Sequence, residues 1–277
     1  AKFPIENYRD FHNAGLLGIC IPSEYGGHGA NLRTYALTAA EVGRYCGSTA
    51  LTFNMHVCSC LWSGTMADDL EMDRAVRERH HETRRVHYRR ILDDGAIYSQ
   101  PFSEGGSAAA GAVAFSTTAV RCDGGWIIRG KKIFASLSGN ADYYGTLCTE
   151  LQHADDKPSR SKTLYLAIPA NAEGVRVIGD WDPLGMRGTV SRTLLFEEVF
   201  VPDGSELLPT GVYFQAVSRW PHMFLTLTPA YMGLAQAAYD FTVKYLRGEL
   251  PSAPPVKRRM YSTKQLAVAD MRIMLEQ

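Results

Sequence analysis

The chain has 277 residues, 45% of them apolar and 21% charged, which suits one large or two to three smaller globular domains. Lysine plus arginine equals aspartate plus glutamate at 29 each, so the charge gives no support for a nucleic-acid or anionic-membrane partner. The 6 cysteines form no C-x-x-C pair, which argues against a disulfide scaffold and for a reducing compartment, and no apolar run reaches the ~18 residues of a membrane span.

The first third reads as helix. A short helical pattern covers Tyr8 to Leu17, and Ser23-Glu24-Tyr25-Gly26-Gly27-His28-Gly29 follows as a glycine-rich loop. Apolar residues near a 3.6 period predict a helix from Leu32 to Cys46. The next, Thr49 to Met66 with Ser48 as its N-cap, is apolar nearly all round and is expected to be buried. On it, Cys58 and Cys60 read as small buried residues, because no second pair of ligands exists for a metal. Asp68 to Arg90 is rich in charge. Arginines surround His80, His81 and His87, so this stretch reads as a solvated helix face and not as a metal site.

The texture changes at Asp94-Gly95. From Ala96 to Val201 short β-rich runs alternate with turns, and Asp123-Gly124-Gly125 signals a hairpin. Helical texture returns after Pro209, with a long helix from Ala230 to Leu246 and a last one from about Thr263. The expected fold class is α+β: an N-terminal α-helical domain (1–94), a middle antiparallel β-barrel domain (95–210) and the start of a C-terminal α-helical bundle (211–277). Both ends read as cut: the chain opens almost directly in a working segment, with no signal or transit peptide, and stops within a helical pattern.

Four segments, in order, resemble the acyl-CoA dehydrogenase family. They are Ile21 to Gly29 with the helix holding Ala40-Glu41-Val42-Gly43; Phe102-Ser103-Glu104-Gly105-Gly106-Ser107; Gly130-Lys131-Lys132-Ile133-Phe134-Ala135-Ser136; and Trp181 to Thr189 running on through Phe196 to Pro202. The resemblance covers nearly the whole chain. It implies an enzyme that holds FAD and removes a proton from Cα and a hydride from Cβ of an acyl-CoA thioester, in fatty acid metabolism. It also implies an electron-transfer flavoprotein or similar acceptor, a homodimer or homotetramer, and a cytoplasmic location, or the mitochondrial matrix in a eukaryote.

Residue by residue, the resemblance puts Phe102 and Ser103 beside the pyrimidine end of the flavin, Phe134 and Ala135 along the ring, and Ser136 on N5 or O4. Gly106 and Ser107 would approach a phosphate, Ser107 that of flavin or CoA. Trp220, Met223 and Phe224 would line the acyl pocket.

The chain also departs from the family pattern. Gly105 replaces the usual proline, and Phe224 stands where many members carry arginine. No glutamate occurs between Trp220 and Leu225, so the catalytic base is unassigned and is expected beyond Gln277. Two alternatives stay open: a flavin-dependent monooxygenase using His56 or His222, and a partner subunit without a base of its own.

Overall fold

The computed structural model describes residues 2–106, 113–253 and 259–277. Helices α1 (Ile5–Asn13), α2 (Leu32–Tyr45), α3 (Gly47–Leu61) and α4 (Arg74–Asp94) come first. Strands β1 (Tyr98–Ser99), β2 (Thr118–Cys122), β3 (Gly125–Ala135), β4 (Tyr143–Leu151), β5 (Thr163–Pro169), β6 (Val175–Ile178), β7 (Arg192–Pro202) and β8 (Glu206–Leu208) follow. Then come α5 (Val212–Arg219), α6 (Thr228–Arg247) and α7 (Ser262–Glu276). The expected order of helices, sheet and helices holds. No described helix is long and apolar enough to cross a membrane.

The sheet corrects one detail. Its order is β6-β7-β3-β2-β4-β5-β8, with β1 added on β4. β6 and β8 are its edges, so the expected barrel is not closed. It is also mixed, because β2 and β1 both run parallel to β4. The expected hairpin joins β2 to β3: Cys122 faces Gly125 across Asp123-Gly124, and Gly124 takes the left-handed φ of 72° that this two-residue turn needs.

Two helices differ from their expected form. Ser48 lies inside α3, and the N-cap position belongs to Cys46, which makes no side-chain cap bond. The helix then does not run to Met66. At Trp62–Met66 it widens into a π turn, with Gly64 at φ −93° and ψ −120°. Such a turn leaves backbone carbonyls without intrahelical donors.

Helix α4 supplies the missing donors. His80 Nε2 and Arg84 Nη1 both reach the Ser63 carbonyl at 2.9 Å. His80, Arg84 and His87 are buried, so the solvated face expected for this stretch is instead a polar stripe turned inward. Arg84 is neutralised by Asp68 at 2.8 Å and lies over the Tyr25 ring, which fastens the glycine-rich loop to α4. Desolvation pushes His80 down to about 4 and His87 down to about 3, so both are neutral at pH 7.

Helices α2 and α6 pack through glycine. A Cβ on Gly233 would overlap the Ala40 carbonyl, and one on Gly43 would lie 2.6 Å from the Ala230 carbonyl. Backbone cannot yield as a side chain can, so Gly233→Ala should destabilise the fold by ~1–3 kcal/mol, read as a lower midpoint in urea.

One buried ion pair ties the loop after β1 to the sheet. Glu104 and Lys132 meet at 2.7 Å, with side chains 6% and 0% exposed. Lys132 also donates to the Leu147 carbonyl at 2.6 Å, and Glu104 accepts from Ser116 N at 2.7 Å, Ser116 Oγ at 2.8 Å and Thr117 N at 3.0 Å. Burial disfavours charge on both partners and lowers the lysine from its usual range. For the carboxyl, burial is outweighed by the ammonium and these donors, which bring it down to about 2.

The sign follows from that depressed value. The stabilisation by Glu104 is complete above the ordinary carboxylate pKa of 4.5 and is lost as pH falls from there toward about 2. Glu104→Gln should cost ~3–5 kcal/mol at pH 7, because Lys132 is left buried and unpaired. The gap between variant and parent melting temperatures should narrow steadily from pH 5 to pH 3, and a constant gap would refute the pair's role.

Candidate functional site

The site is built where β3 ends. Ile133 N of β3 donates to the Ser103 carbonyl at 2.8 Å, an antiparallel bridge to the loop after β1. It lays Phe102-Ser103 alongside Ile133-Phe134, so the two segments expected to hold the flavin ring are neighbours.

Beyond Phe134 the backbone is strained. Phe134, Leu137, Met186 and Val190 all have left-handed φ, between 46° and 67°. Non-glycine residues seldom take this conformation, and for β-branched Val190 it is a true outlier. Such strain persists only where the surroundings impose it, and it gathers at functional sites. Here the surroundings are mutual: Leu137 N donates to the Thr189 carbonyl at 2.9 Å and Ser138 N to the Val190 carbonyl at 3.2 Å.

The side chains are sorted by this weave. Phe134 is 65% exposed and meets Trp181 edge-on at 6.2 Å, so it is not a core aromatic. Ala135 is buried. Ser136 is 7% exposed, its carbonyl accepts from Ser99 Oγ at 2.5 Å, and its hydroxyl lies 2.8 Å from Ser191 Oγ. Ser191 continues to Thr189 Oγ1 at 2.7 Å, and Thr189 donates to the Met186 carbonyl at 2.9 Å. Gly106 is exposed and a Cβ there would meet nothing, whereas Ser107 lies outside the described residues.

Phe102 links this edge to the helices. Its ring lies 5.2 Å from Trp62, 6.4 Å from Tyr213 and 6.4 Å from Phe224. An apolar cavity of about 220 Å³ lies among the helices, lined by Leu61, Thr65 and Met66 of the π-turn region and by Trp220, His222 and Met223. Trp220 and Met223 therefore meet around one space. Phe224 stands outside it, half-exposed, against Trp62 at 6.4 Å.

The two histidines named for oxygen chemistry part company. His56 is fully buried, takes Tyr98 N at 3.0 Å on Nδ1 and gives Nε2–H to the Leu17 carbonyl at 3.0 Å. Both nitrogens are spent, and desolvation lowers its pKa to about 4, so it is a structural residue. His222 lines the cavity and stacks edge-on with Trp220 at 5.3 Å. Sequence reasoning missed Ser191, Thr189 and the π turn. Only the hydroxyl pattern Thr189-Val190-Ser191 beside Met186 hinted at the first two.

Known proteins resemble this chain along most of its length. The N-terminal domain model of acyl-CoA dehydrogenase matches residues 1–66, and the middle domain model matches residues 102–199. A probable acyl-CoA dehydrogenase of Bacillus subtilis, YngJ, is 26% identical over 98% of this chain and 67% of its own length. L-evernosamine nitrososynthase of a Micromonospora species is 29% identical over 89% of this chain and 56% of its own length. The FMN-bound structure of TdsC, the dibenzothiophene monooxygenase of Paenibacillus sp. A11-2, has a TM-score of 0.72 at 26% identity, over 89% of this chain and 59% of that one. The chain thus spans 56% to 67% of the length of these proteins. With two of its domain models matched in order along one chain of the corresponding fold, this protein belongs to the acyl-CoA dehydrogenase family.

Proposed function

We propose that the protein is an FAD-dependent acyl-CoA dehydrogenase whose flavin lies along the edge formed by Phe102-Ser103 and Phe134-Ala135-Ser136. The observation that carries this reading is the Ser103–Ile133 bridge, which puts two polar backbone edges side by side next to an aromatic ring left open to solvent. The limits 1–94, 95–210 and 211–277 serve as its domains.

A bound flavin supplies the acceptor for the hydride that leaves the substrate's β-carbon. The chain's own residues supply position and exclusion. Phe134 offers a flat apolar face to the ring. Ser103 and its neighbouring backbone offer polar groups to the pyrimidine end, where negative charge gathers on reduction. The 220 Å³ cavity takes the apolar part of the substrate, with Met223 buried in its wall and Trp220 beside it. Trp62, next in sequence to Leu61 of the cavity wall, packs on Phe102 at 5.2 Å, and the two rings add apolar cover beside the proposed flavin edge. An electron-transfer flavoprotein and a homo-oligomeric assembly belong to the same reading.

One observation favours a second reading. Among the described residues lining the cavity none is a carboxylate, and His222 is the titratable one. A dehydrogenase needs a base at the α-carbon, whereas a flavin monooxygenase on this fold uses a pocket histidine. The nitrososynthase and TdsC relatives point the same way.

The purified protein should be yellow, and anaerobic addition of an acyl-CoA should bleach the oxidised flavin. Failure of acyl-CoAs of every length to bleach it, with substrate turnover that consumes oxygen and needs prior reduction, would replace the first reading by the second. A colourless protein would defeat both.

Filling the cavity gives an independent check. Met223→Trp should lower kcat/KM for the longest accepted acyl group by tenfold or more relative to the shortest, since one methylene of misfit already costs about tenfold. An unchanged length preference would remove Met223 from the pocket.

A further inference from the structure

We propose that Ser191 and Thr189 fix the direction of the Ser136 hydroxyl, so that Ser136 faces the flavin as a hydrogen-bond acceptor only. The inference rests on the flavin position proposed above and adds what one residue of that edge does to the cofactor's redox balance.

The argument is a count of protons. Four oxygens form a row: Ser136 Oγ, Ser191 Oγ at 2.8 Å, Thr189 Oγ1 at 2.7 Å from Ser191, and the Met186 carbonyl at 2.9 Å from Thr189. Each gap needs one hydrogen, and each hydroxyl owns one. A carbonyl cannot donate, so Thr189 must donate to Met186. Its proton is then spent, so Ser191 must donate to Thr189. Ser191 is then spent, so Ser136 must donate to Ser191. This is the one arrangement that leaves no two oxygens facing each other without a hydrogen.

The row is not free to break. Ser136, Ser191 and Thr189 are 7%, 6% and 1% exposed, so water does not offer substitute partners freely. The Met186 carbonyl that anchors it is held by Thr189 N at 3.1 Å and Trp181 Nε1 at 3.3 Å. Met186 and Val190, on either side of Thr189, sit in left-handed backbone, and Ser99 pins the carbonyl of Ser136.

What remains on Ser136 Oγ is a lone pair. Flavin N5 carries a hydrogen in the reduced state and a lone pair in the oxidised state. An acceptor at that edge therefore pairs with the reduced flavin and opposes the oxidised one. Thr189 and Ser191 act through Ser136 as positioning residues, and their effect is to raise the midpoint potential.

The test uses the flavin-loaded protein and reads the potential of the bound flavin by spectral titration. In Thr189→Val the Ser191 proton is released and the row can reverse, letting Ser136 donate to oxidised N5. The ratio of reduced to oxidised flavin should fall about tenfold at a given poise, a drop of ~30 mV for a two-electron couple. Thr189→Ser, which restores the donor, should return the parent value.

An unchanged potential in Thr189→Val with flavin fully bound overturns the proposal. So does loss of flavin from both Thr189→Val and Ser191→Ala while Thr189→Ser retains it, because the hydroxyls would then hold the site together and not orient it. Failure of the flavin reading is seen separately, as a parent protein that binds no flavin at all.

Discussion

The buried contact between Glu104 and Lys132 decides where the loop after β1 lies, and most of the candidate site is arranged around that loop. A lysine with a fully buried ammonium is tolerated because a carboxylate and a carbonyl accept its hydrogen bonds. The carboxylate in turn satisfies two backbone N–H groups and a hydroxyl just before β2, which no strand partner supplies. Ser103 is adjacent in sequence to Glu104 and Ile133 to Lys132, so the ion pair and the Ser103–Ile133 bridge set one register between them. Neither group is itself well placed to do chemistry. Their work is to bring two polar edges into line.

Beyond that register the site depends on strain. Four non-glycine residues with left-handed φ on two segments are each unfavourable alone. The segments hold each other there by exchanging backbone hydrogen bonds from Leu137 and Ser138 to Thr189 and Val190. The result exposes Phe134 while burying Ala135 and Ser136 directly after it. A regular strand would also alternate, but it would have continued the pairing of β3 with β7 and left no open edge.

What could be read in the sequence follows a physical division. Signals that are local were legible: the Asp123-Gly124 turn, the all-round apolar α3, the helical return after Pro209. The family resemblance carried Ser103, Phe134 and Ser136 to one neighbourhood, and the Ser103–Ile133 bridge does bring their segments together. Features made by distant partners were not legible. Strand texture shows neither that the end strands β6 and β8 stay unpaired with each other, which leaves the sheet open, nor that β2 pairs parallel with β4, which makes it mixed. The buried stripe His80, Arg84, His87 looked solvent-facing because polar residues normally are; its partners are distant in sequence, the Ser63 carbonyl for His80 and Arg84 and the Tyr98 hydroxyl, at 2.9 Å, for His87. Ser191 is 55 residues from Ser136, and no periodicity links two hydroxyls across that distance.

The π turn at Trp62–Met66 makes these two halves depend on each other. It places the Trp62 ring against Phe102 of the proposed flavin edge and, within the same few residues, turns Thr65 and Met66 into the cavity wall. The separation between cavity and edge is therefore set by a helix, not by a mobile loop. That helix keeps its irregular shape because His80 and Arg84 hold the Ser63 carbonyl, and Asp68 balances the buried charge of Arg84. A regular α-helix through the same residues would turn Thr65 and Met66 relative to Trp62 and so re-aim the cavity wall. The inward polar stripe of α4, although it touches neither the cavity nor the proposed flavin edge, is for that reason part of the geometry that sets the one against the other.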